Sequence, residues 1–184
     1  MLQDALPAVA VGNRKGAVVV ESERELMTVF RDVMAGVPAP VTVVTAMGGE
    51  LPHGTTVSAF ASLSLDPPMV LVALDRGSEL LGLIRSSRRF GVNVLGRTQS
   101  GWARAFARKG GADKFSGVRW EADVGIPRLP GAPGWLVCEV ADFVAGGDHV
   151  IVLGNVVAAE TSGGAPLTYH ARGFGTHASL AEAP

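Results

Sequence analysis

The sequence predicts a mainly β domain, either an antiparallel barrel or a sandwich, with a few helices inserted between strands. Short apolar runs rich in β-branched residues recur along the chain, and they do not alternate with helices in the regular way of a parallel sheet. The 24 glycines and 11 prolines indicate many tight connections between short elements. At 184 residues, the chain is long enough to form one domain with its own core.

The N-terminal part of the chain is expected to hold an arm and one helix. Residues 1–20 are read as the arm, within which residues 17–20 can pair as a short strand. The helix begins after Ser22, because Ser22 and Glu25 have the spacing of a capping box. It ends near Gly36, and its apolar residues recur at helical spacing: Leu26, Val29, Phe30, Val33 and Met34. We place the domain over residues 21–175 and a C-terminal tail over residues 176–184.

Two β-branched runs in the first half of the chain predict strands, at residues 41–45 and 69–74. Gly48 and Gly49 are typical of a hairpin turn after the first of these strands. A run rich in hydroxyl side chains, residues 54–68, lies between the two strands and ends at a Pro-Pro pair.

Helices and strands follow each other irregularly in the second half. Ser78 can cap a helix that ends before an extended segment at residues 89–95. A second short helix is predicted over residues 100–107, and a glycine-rich loop over residues 109–114 follows it. The late strands are expected at residues 135–143, 149–160 and 167–170, the first two joined by a turn at residues 146–148.

Several classes of protein and of site are excluded by the residues themselves. The formal charge of −1, without a basic block, argues against nucleic acid as the main partner. Cys138 is the only cysteine, so an internal disulfide cannot form, and its apolar neighbours indicate an inert buried thiol. The four histidines lack metal-ligand spacing, and no Rossmann glycine motif, phosphate loop or nucleophile elbow is present. No apolar run has the length of a membrane span and the N-terminus lacks the order of a secretory signal, so we expect a cytoplasmic protein.

The chain contains more apolar surface than one short domain can bury. Apolar residues make up 47% of it and charged residues 18%, against roughly 25% charged in an average soluble domain. A second burial site between subunits accounts for this surplus, and a homodimer is the simplest closed arrangement.

The hydroxyl-rich run has two interpretations that the residues alone leave open. Serine and threonine at this density can line a polar slot with hydroxyls and backbone N–H groups, which suits the acceptors of a nucleotide-like ligand. An ordinary edge strand rich in hydroxyl residues is the alternative, since such residues are common in strands and turns.

Four segments together resemble the flavin reductase-like family, the short-chain reductases that supply two-component monooxygenases. The resemblance extends from about Phe30 to Phe174, and its strength lies in the order and spacing of the segments. They are residues 40–45, the hydroxyl-rich run through Pro68, residues 90–95, and the tripeptide Gly147, Asp148 and His149, with further similarity at residues 106–107 and 113–117.

The resemblance implies a six-stranded Greek-key split barrel with flavin bound at one end, near a dimer interface, and held largely by main chain. It implies that Lys114 balances a flavin phosphate, although a solvated loop lysine is an alternative. The residues implied to border the flavin ring are Thr56, Val57, Ser58 and Ala59. Those implied to contact the ribityl and phosphate groups are Ser62, Leu63 and Ser64, with further contacts from Asn93, Leu95, Gln99, Phe106, Ala107, Lys114 and Phe115.

The resemblance also implies a nicotinamide-binding element at Gly147, Asp148 and His149. Glycine lets the backbone approach a flat ligand, and the imidazole can hydrogen-bond the carboxamide or position the ring. An ordinary hairpin turn is the alternative, because Gly-Gly-Asp is common in hairpins. Arg172 and Phe174 can cover the same pocket, or serve only as a solvated charge and as packing.

The implied activity is that of an NAD(P)H-dependent flavin reductase, which reduces FAD or FMN and passes the reduced flavin to a separate monooxygenase. Such an enzyme needs no catalytic acid or nucleophile of its own, because the cofactor carries the chemistry. NADH is favoured over NADPH, since no arginine pair dedicated to a 2′-phosphate stands out. The alternatives are a split-barrel oxidase that retains its flavin and a flavin-binding module without turnover.

Overall fold

The computed structural model of the protein describes residues 22–180. The expectations for residues 1–20, and for the last four residues of the tail, lie outside the described residues. The chain separates into two compact units, one that runs through Val37 and one that begins at Pro38.

Helix α1 spans Glu23–Ala35 in the first unit. Its N-terminus is capped as predicted, because the Ser22 hydroxyl accepts a hydrogen bond from the Glu25 backbone N–H over 3.3 Å. The helix ends at Gly36, whose backbone N–H bonds back into its last turn. None of its residues is buried, so the apolar stripe of α1 is exposed.

The second unit is mainly β, as predicted, with two helices inserted. Its strands are β1 (Ala39–Pro40), β2 (Thr42–Gly48), β3 (Leu51–Val57), β4 (Phe60–Leu65), β5 (Pro68–Asp75), β6 (Arg89–Val94), β7 (Glu121–Asp123), β8 (Ile126–Arg128), β9 (Gly134–Gly146), β10 (His149–Thr161), β11 (Leu167–His170) and β12 (Gly173–Thr176). Its helices are α2 (Glu79–Ser87) and α3 (Ser100–Ala107), and a short 3₁₀ turn covers Ala112–Phe115.

Seven strands form the main sheet in the order β3-β2-β6-β9-β10-β5-β4, and every neighbouring pair is antiparallel. The family resemblance implied six strands. The hydroxyl-rich run contributes to two of the seven, β3 and β4, which are consecutive in the chain yet lie at opposite edges of the sheet. The architecture is compatible with a split barrel whose free edges are β3 and β4.

Most elements were predicted from local pattern. Of the others, β4 was left open as part of the hydroxyl-rich run, and the rest are very short. The hairpin of β2 and β3 turns at Gly49, which has a φ of 66°, and α3 has the predicted bounds. The strands β1, β7, β8 and β12 were not predicted, because two to four residues are too few to show an alternating pattern. They form the small sheets β1-β11-β12 and β7-β8.

Strand β2 has buried side chains on both of its faces. Val44 belongs to a core cluster that includes Leu80, Leu81 and Ile84 of α2, whereas Val43 belongs to a second cluster with Phe106 of α3. This explains why β2 is a continuous apolar run instead of an alternating one. The second cluster fixes α3 beside the β3 edge, where the candidate site lies.

Candidate ligand-binding site

The candidate site is built around the C-terminal end of β3, at one free edge of the main sheet. An edge strand leaves part of its backbone N–H and C=O groups without strand partners. Helix α3 covers part of this edge, since the Thr56 hydroxyl donates to the Ala103 carbonyl over 2.7 Å. Beyond Val57 the backbone turns into β4 through Ser58 and Ala59, and both of these residues are exposed.

Three adjoining cavities surround this strand end. The Phe174 cavity has a volume of about 460 Å³, the His149 cavity about 250 Å³ and the Lys114 cavity about 500 Å³. Thr56 and Ser58 line both of the first two, Thr55 and Asp75 line both of the last two, and Ala107 lines the first and the third. The Phe174 and Lys114 cavities fall in the range of small-molecule sites, roughly 300–1,000 Å³, and the His149 cavity adjoins them with a smaller volume.

The structure brings most of the predicted side chains near β3 into these cavities, together with residues distant in sequence. The His149 cavity is lined by all four residues implied to border the flavin ring: Thr56, Val57, Ser58 and Ala59. Arg172 and Phe174 line the first cavity and Lys114 lines the third. Both interpretations of the hydroxyl-rich run therefore hold in part, since its two strands are edge strands and one of them lines a polar slot.

His149 occupies the first position of β10 and lines the cavity that the turn after β3 also lines. Its Nδ1 lies 2.7 Å from the Asp148 Oδ1, an interaction that lowers the pKa of the Asp148 carboxyl. Gly147 forms the turn with a φ of 63°, a conformation that favours glycine. The tripeptide is therefore a hairpin turn, and it also presents an imidazole to a cavity.

Lys114 is buried, with 7% of its surface exposed, so the alternative of a solvated loop lysine was wrong. Its Nζ donates to the carbonyl of Gly54 over 3.2 Å and to that of Phe106 over 3.4 Å. The second bond satisfies a carbonyl at the C-terminus of α3, where a cation is favourable. Burial lowers the pKa of Lys114, and the nearby Asp113 and Glu79 oppose this shift. The ammonium therefore joins α3 to β3 while it lines a cavity.

Asn93 lies in the interior of the fold and makes three contacts there. Its Nδ2 donates to the Val43 carbonyl over 3.2 Å and to the Thr45 hydroxyl over 3.5 Å, and its Oδ1 accepts from the Leu129 N–H over 2.7 Å. The side chain is fully buried. The polar atoms of the Asn93 side chain therefore hold β6, β2 and the segment after β8 together, and the implied contact between Asn93 and flavin stays a prediction.

Other residues implied to touch flavin also form the scaffold of the site. Leu95, Phe106 and Phe115 are buried in the second core cluster, where the two phenylalanine rings meet edge to face at 4.8 Å. Gln99 joins two loops, since it accepts from the Gly96 N–H and donates to the Gly131 carbonyl. None of the four side chains lines the three cavities.

Ser62, Leu63 and Ser64 lie on β4 and line none of the three cavities. Ser62 and Leu63 are exposed, and the Ser64 hydroxyl accepts a hydrogen bond from the Asp66 N–H. Contacts from these residues to the ribityl and phosphate groups remain a prediction.

Many cavity residues were not assigned to the site by the sequence analysis, and among the polar ones only Thr55 carried a local signal, since it stands beside Thr56 in the hydroxyl-rich run. The other polar or charged ones are brought to the cavities from separate elements and loops: His53, Asp75, Ser78, Glu79, Arg104, Arg108, Lys109 and Tyr169.

The described residues also bear on membranes and metals. Between residues 22 and 180, no helix is both long and apolar enough to cross a membrane. The same residues contain no group of three or more His, Cys, Asp or Glu side chains placed to hold a metal ion.

Comparison with known proteins shows the same family across most of the chain. A family model described as a flavin reductase like domain matches residues 34–178. The chain is 41% identical over 146 residues to the reductase component of 4-nitrophenol 4-monooxygenase/4-nitrocatechol 2-monooxygenase of Rhodococcus opacus, covering 79% of this chain and 78% of that protein. It is 39% identical over 152 residues to the NADH:riboflavin 5′-phosphate oxidoreductase of Streptomyces pristinaespiralis, covering 80% and 86% of the two chains.

A solved structure agrees with the sequence comparisons. The NADH:FAD oxidoreductase SgcE6 of Streptomyces globisporus C-1027, in complex with NAD and FAD fragments, matches with a TM-score of 0.81 and 32% identity. The match covers 90% of this chain and 100% of that one. With the antiparallel sheet, the cavities at its free edge and a family match over residues 34–178, this chain belongs to the flavin reductase-like family.

Proposed function

We propose that this chain is an NADH-dependent flavin reductase that supplies reduced flavin to a separate monooxygenase. The observation that carries the proposal is the set of three adjoining cavities around the end of β3, which is large enough for two ligands side by side. Relatives named as NADH-dependent flavin oxidoreductases and as a monooxygenase reductase component support it.

The residues at the cavities fit a flavin nucleotide. The flavin ring carries carbonyl and nitrogen acceptors along one edge, and the exposed turn at Ser58 and Ala59 offers backbone N–H groups and a hydroxyl. Thr56 donates its proton to Ala103, so its hydroxyl oxygen is left to accept from a ligand. Lys114 supplies a cation that its two carbonyl partners hold in place.

The residues also fit a nicotinamide beside the flavin. With Nδ1 of His149 directed at the Asp148 carboxylate, Nε2 is the nitrogen available to a carboxamide in the His149 cavity. Asp148 fixes the orientation of the imidazole and favours a proton on Nδ1. In this arrangement, His149 is a positioning residue for the dinucleotide.

When both are bound, the nicotinamide and the flavin would supply the hydride donor and the hydride acceptor. The chain's own residues then have three tasks: to hold two flat rings in contact, to keep water from the space between them, and to donate hydrogen bonds where negative charge develops. No nucleophile is needed, and Cys138 is unsuited to be one, because burial raises the pKa of its thiol to about 12.

We also propose that the functional unit is a homodimer. Large apolar side chains are exposed on α1 in the first unit, among them Phe30 at 61%, and on β4 in the second unit, where Leu65 is 91% exposed. Exposed apolar groups of this size are typical of surfaces that a second subunit covers.

A steady-state assay tests the proposed activity by crossing NADH and NADPH with FAD, FMN and riboflavin. We expect NADH oxidation that depends on added flavin and requires no second protein. Turnover no faster than the non-enzymatic reaction with every flavin would refute the proposal. Flavin that stays bound through gel filtration, without stimulation by free flavin, would instead support the retained-flavin oxidase or the module without turnover.

A further inference from the structure

The Phe174 cavity differs from its two neighbours in electrostatic character. Two of the ten residues that line it are arginines, Arg104 and Arg172, and none is a carboxylate. Asp75 lines both of the other cavities. The His149 cavity has no arginine or lysine, and in the Lys114 cavity Asp75 and Glu79 stand beside Arg108, Lys109 and Lys114. Among the three, only in the Phe174 cavity would cations face a bound anion without an opposing carboxylate.

Arg104 is held in the wall of this cavity by an aromatic stack. Its guanidinium carbon lies 5.1 Å from the centroid of the Phe174 ring. Phe174 in turn meets Tyr169 edge to face, with centroids 5.3 Å apart, and the two residues are paired across β11 and β12. Stacking restricts the guanidinium plane but leaves its N–H groups able to bind an acceptor at the rim, which suits a phosphate.

We propose that Arg104 is a nucleotide-phosphate binding residue. The ligand would extend from Thr56 and Ser58, where a flat ring is expected, to the Arg104 and Phe174 wall of the same cavity. The inference rests on the proposed function and extends it to a residue that the family resemblance did not implicate. The absence of an arginine pair in the sequence favoured NADH, yet the fold brings Arg104 of α3 and Arg172 of the β11–β12 turn to one cavity. The phosphate can belong to the nicotinamide dinucleotide or to the flavin nucleotide.

Binding measurements test the proposal without turnover. Arg104→Ala is compared with Arg85→Ala, a matched control whose guanidinium also stacks on a phenylalanine, 4.7 Å from the Phe143 centroid, but which lines none of the three cavities. Calorimetric titration with ADP-ribose, FMN and riboflavin should show a roughly 5- to 30-fold loss for at least one phosphorylated ligand in Arg104→Ala. Riboflavin affinity should be unchanged, and Arg85→Ala should bind all three like wild type. Unchanged affinity for both ADP-ribose and FMN in Arg104→Ala would overturn the proposal.

Kinetics identify which nucleotide supplies the phosphate. With riboflavin and 1-benzyl-1,4-dihydronicotinamide, neither of which carries a phosphate, Arg104→Ala should turn over like wild type. A selective rise in the KM for NADH assigns the phosphate to the dinucleotide. A selective rise for FMN or FAD assigns it to the flavin. An equal loss with every substrate pair would show a structural role and refute phosphate binding. Wild-type protein without flavin-dependent NADH oxidation would refute the proposed function, while the titrations still decide the role of Arg104.

Discussion

At the scale of single residues, His149 follows the hairpin turn directly and its side chain lines a cavity. Its imidazole is oriented by Asp148, and the cavity it lines also contains the turn after β3. Its proposed role is to position the nicotinamide. Substitution of His149 should therefore change NADH kinetics without changing flavin affinity.

We expect His149→Ala to raise the KM for NADH or to lower kcat while flavin affinity stays near that of wild type. Loss of one such hydrogen bond costs about 1–2 kcal/mol, which corresponds to a roughly 5- to 30-fold fall in kcat/KM for NADH. Replacing Ser58 with a bulky residue should do the reverse and weaken flavin binding first. Thermal unfolding of each variant controls for misfolding. Unchanged NADH kinetics in a folded His149→Ala protein would show that His149 serves only in the hairpin turn.

Lys114→Met removes the buried ammonium while keeping most of the side-chain volume. If Lys114 binds a flavin phosphate, the variant should lose affinity for FMN by about tenfold or more, whereas riboflavin serves as the internal control. Fluorescence titration measures both affinities. An equal loss for the two flavins would show that Lys114 acts only by holding the Gly54 and Phe106 carbonyls.

The lowered pKa of Lys114 also predicts how stability depends on alkaline pH. Burial, the main cause, brings this pKa below its ordinary value of 10.5, so the unfolded chain binds more protons between the two values. The free energy of unfolding of wild type should therefore rise relative to Lys114→Met as the pH increases through the folded pKa toward 10.5. Urea unfolding at neutral pH and at about pH 10 measures the difference. A difference in the free energy of unfolding that stays constant between the two pH values would contradict the lowered pKa of Lys114.

At the scale of secondary structure, the contact between β3 and α3 decides where the cavities lie. Gly54 on β3 faces the Phe106 ring, and an added Cβ would approach two of its carbons to 3.1 Å and Phe115 to 3.3 Å. The absence of a side chain at this position lets α3 approach the sheet edge closely. Lys114 then joins the two elements through the Gly54 carbonyl.

Gly54→Val should therefore displace Phe106 and with it α3. We expect a loss of about 1–3 kcal/mol in the free energy of unfolding together with weaker flavin binding. Gly82→Ala is the matched control, because nothing lies within 4 Å of its added Cβ in the interior of α2. The free energy of unfolding of Gly82→Ala should rise by about 0.5–1 kcal/mol, and its flavin binding should match that of wild type. Urea unfolding measures both, and a Gly54→Val protein as stable as wild type would show that α3 can move without cost.

At the scale of the whole molecule, the exposed apolar side chains predict association. Analytical ultracentrifugation at micromolar concentration should give about twice the chain mass of 19.0 kDa. Phe30→Asp on α1 and Leu65→Asp on β4 should shift the protein toward monomer if their surfaces lie in the interface. Val124→Asp, at an exposed position on the β7–β8 turn, is the control and should leave the mass unchanged. A monomeric wild-type protein would refute the homodimer.

Local pattern predicted most of the longer elements, although it left the six-residue β4 open. The Ser22 cap and the helix over residues 100–107 depend on neighbours three or four positions apart, and both were confirmed. The burial of Cys138 also followed from the apolar residues around it. The strand β12 has four residues and no alternation, so nothing in its own sequence distinguished it from a loop.

The antiparallel β architecture and the family were predictable from the sequence alone, because they depend on local periodicity and on the order of short motifs. Which polar side chains face a cavity depends instead on how distant elements pack. Asn93 and Lys114 are both polar residues near motif segments, yet the fold buries Asn93 among three backbone and side-chain partners and places Lys114 at a cavity wall. Arg104 reaches Phe174 because α3 and β12 line the same cavity. Contacts between residues so distant in the chain depend on how the elements pack, which local pattern does not specify.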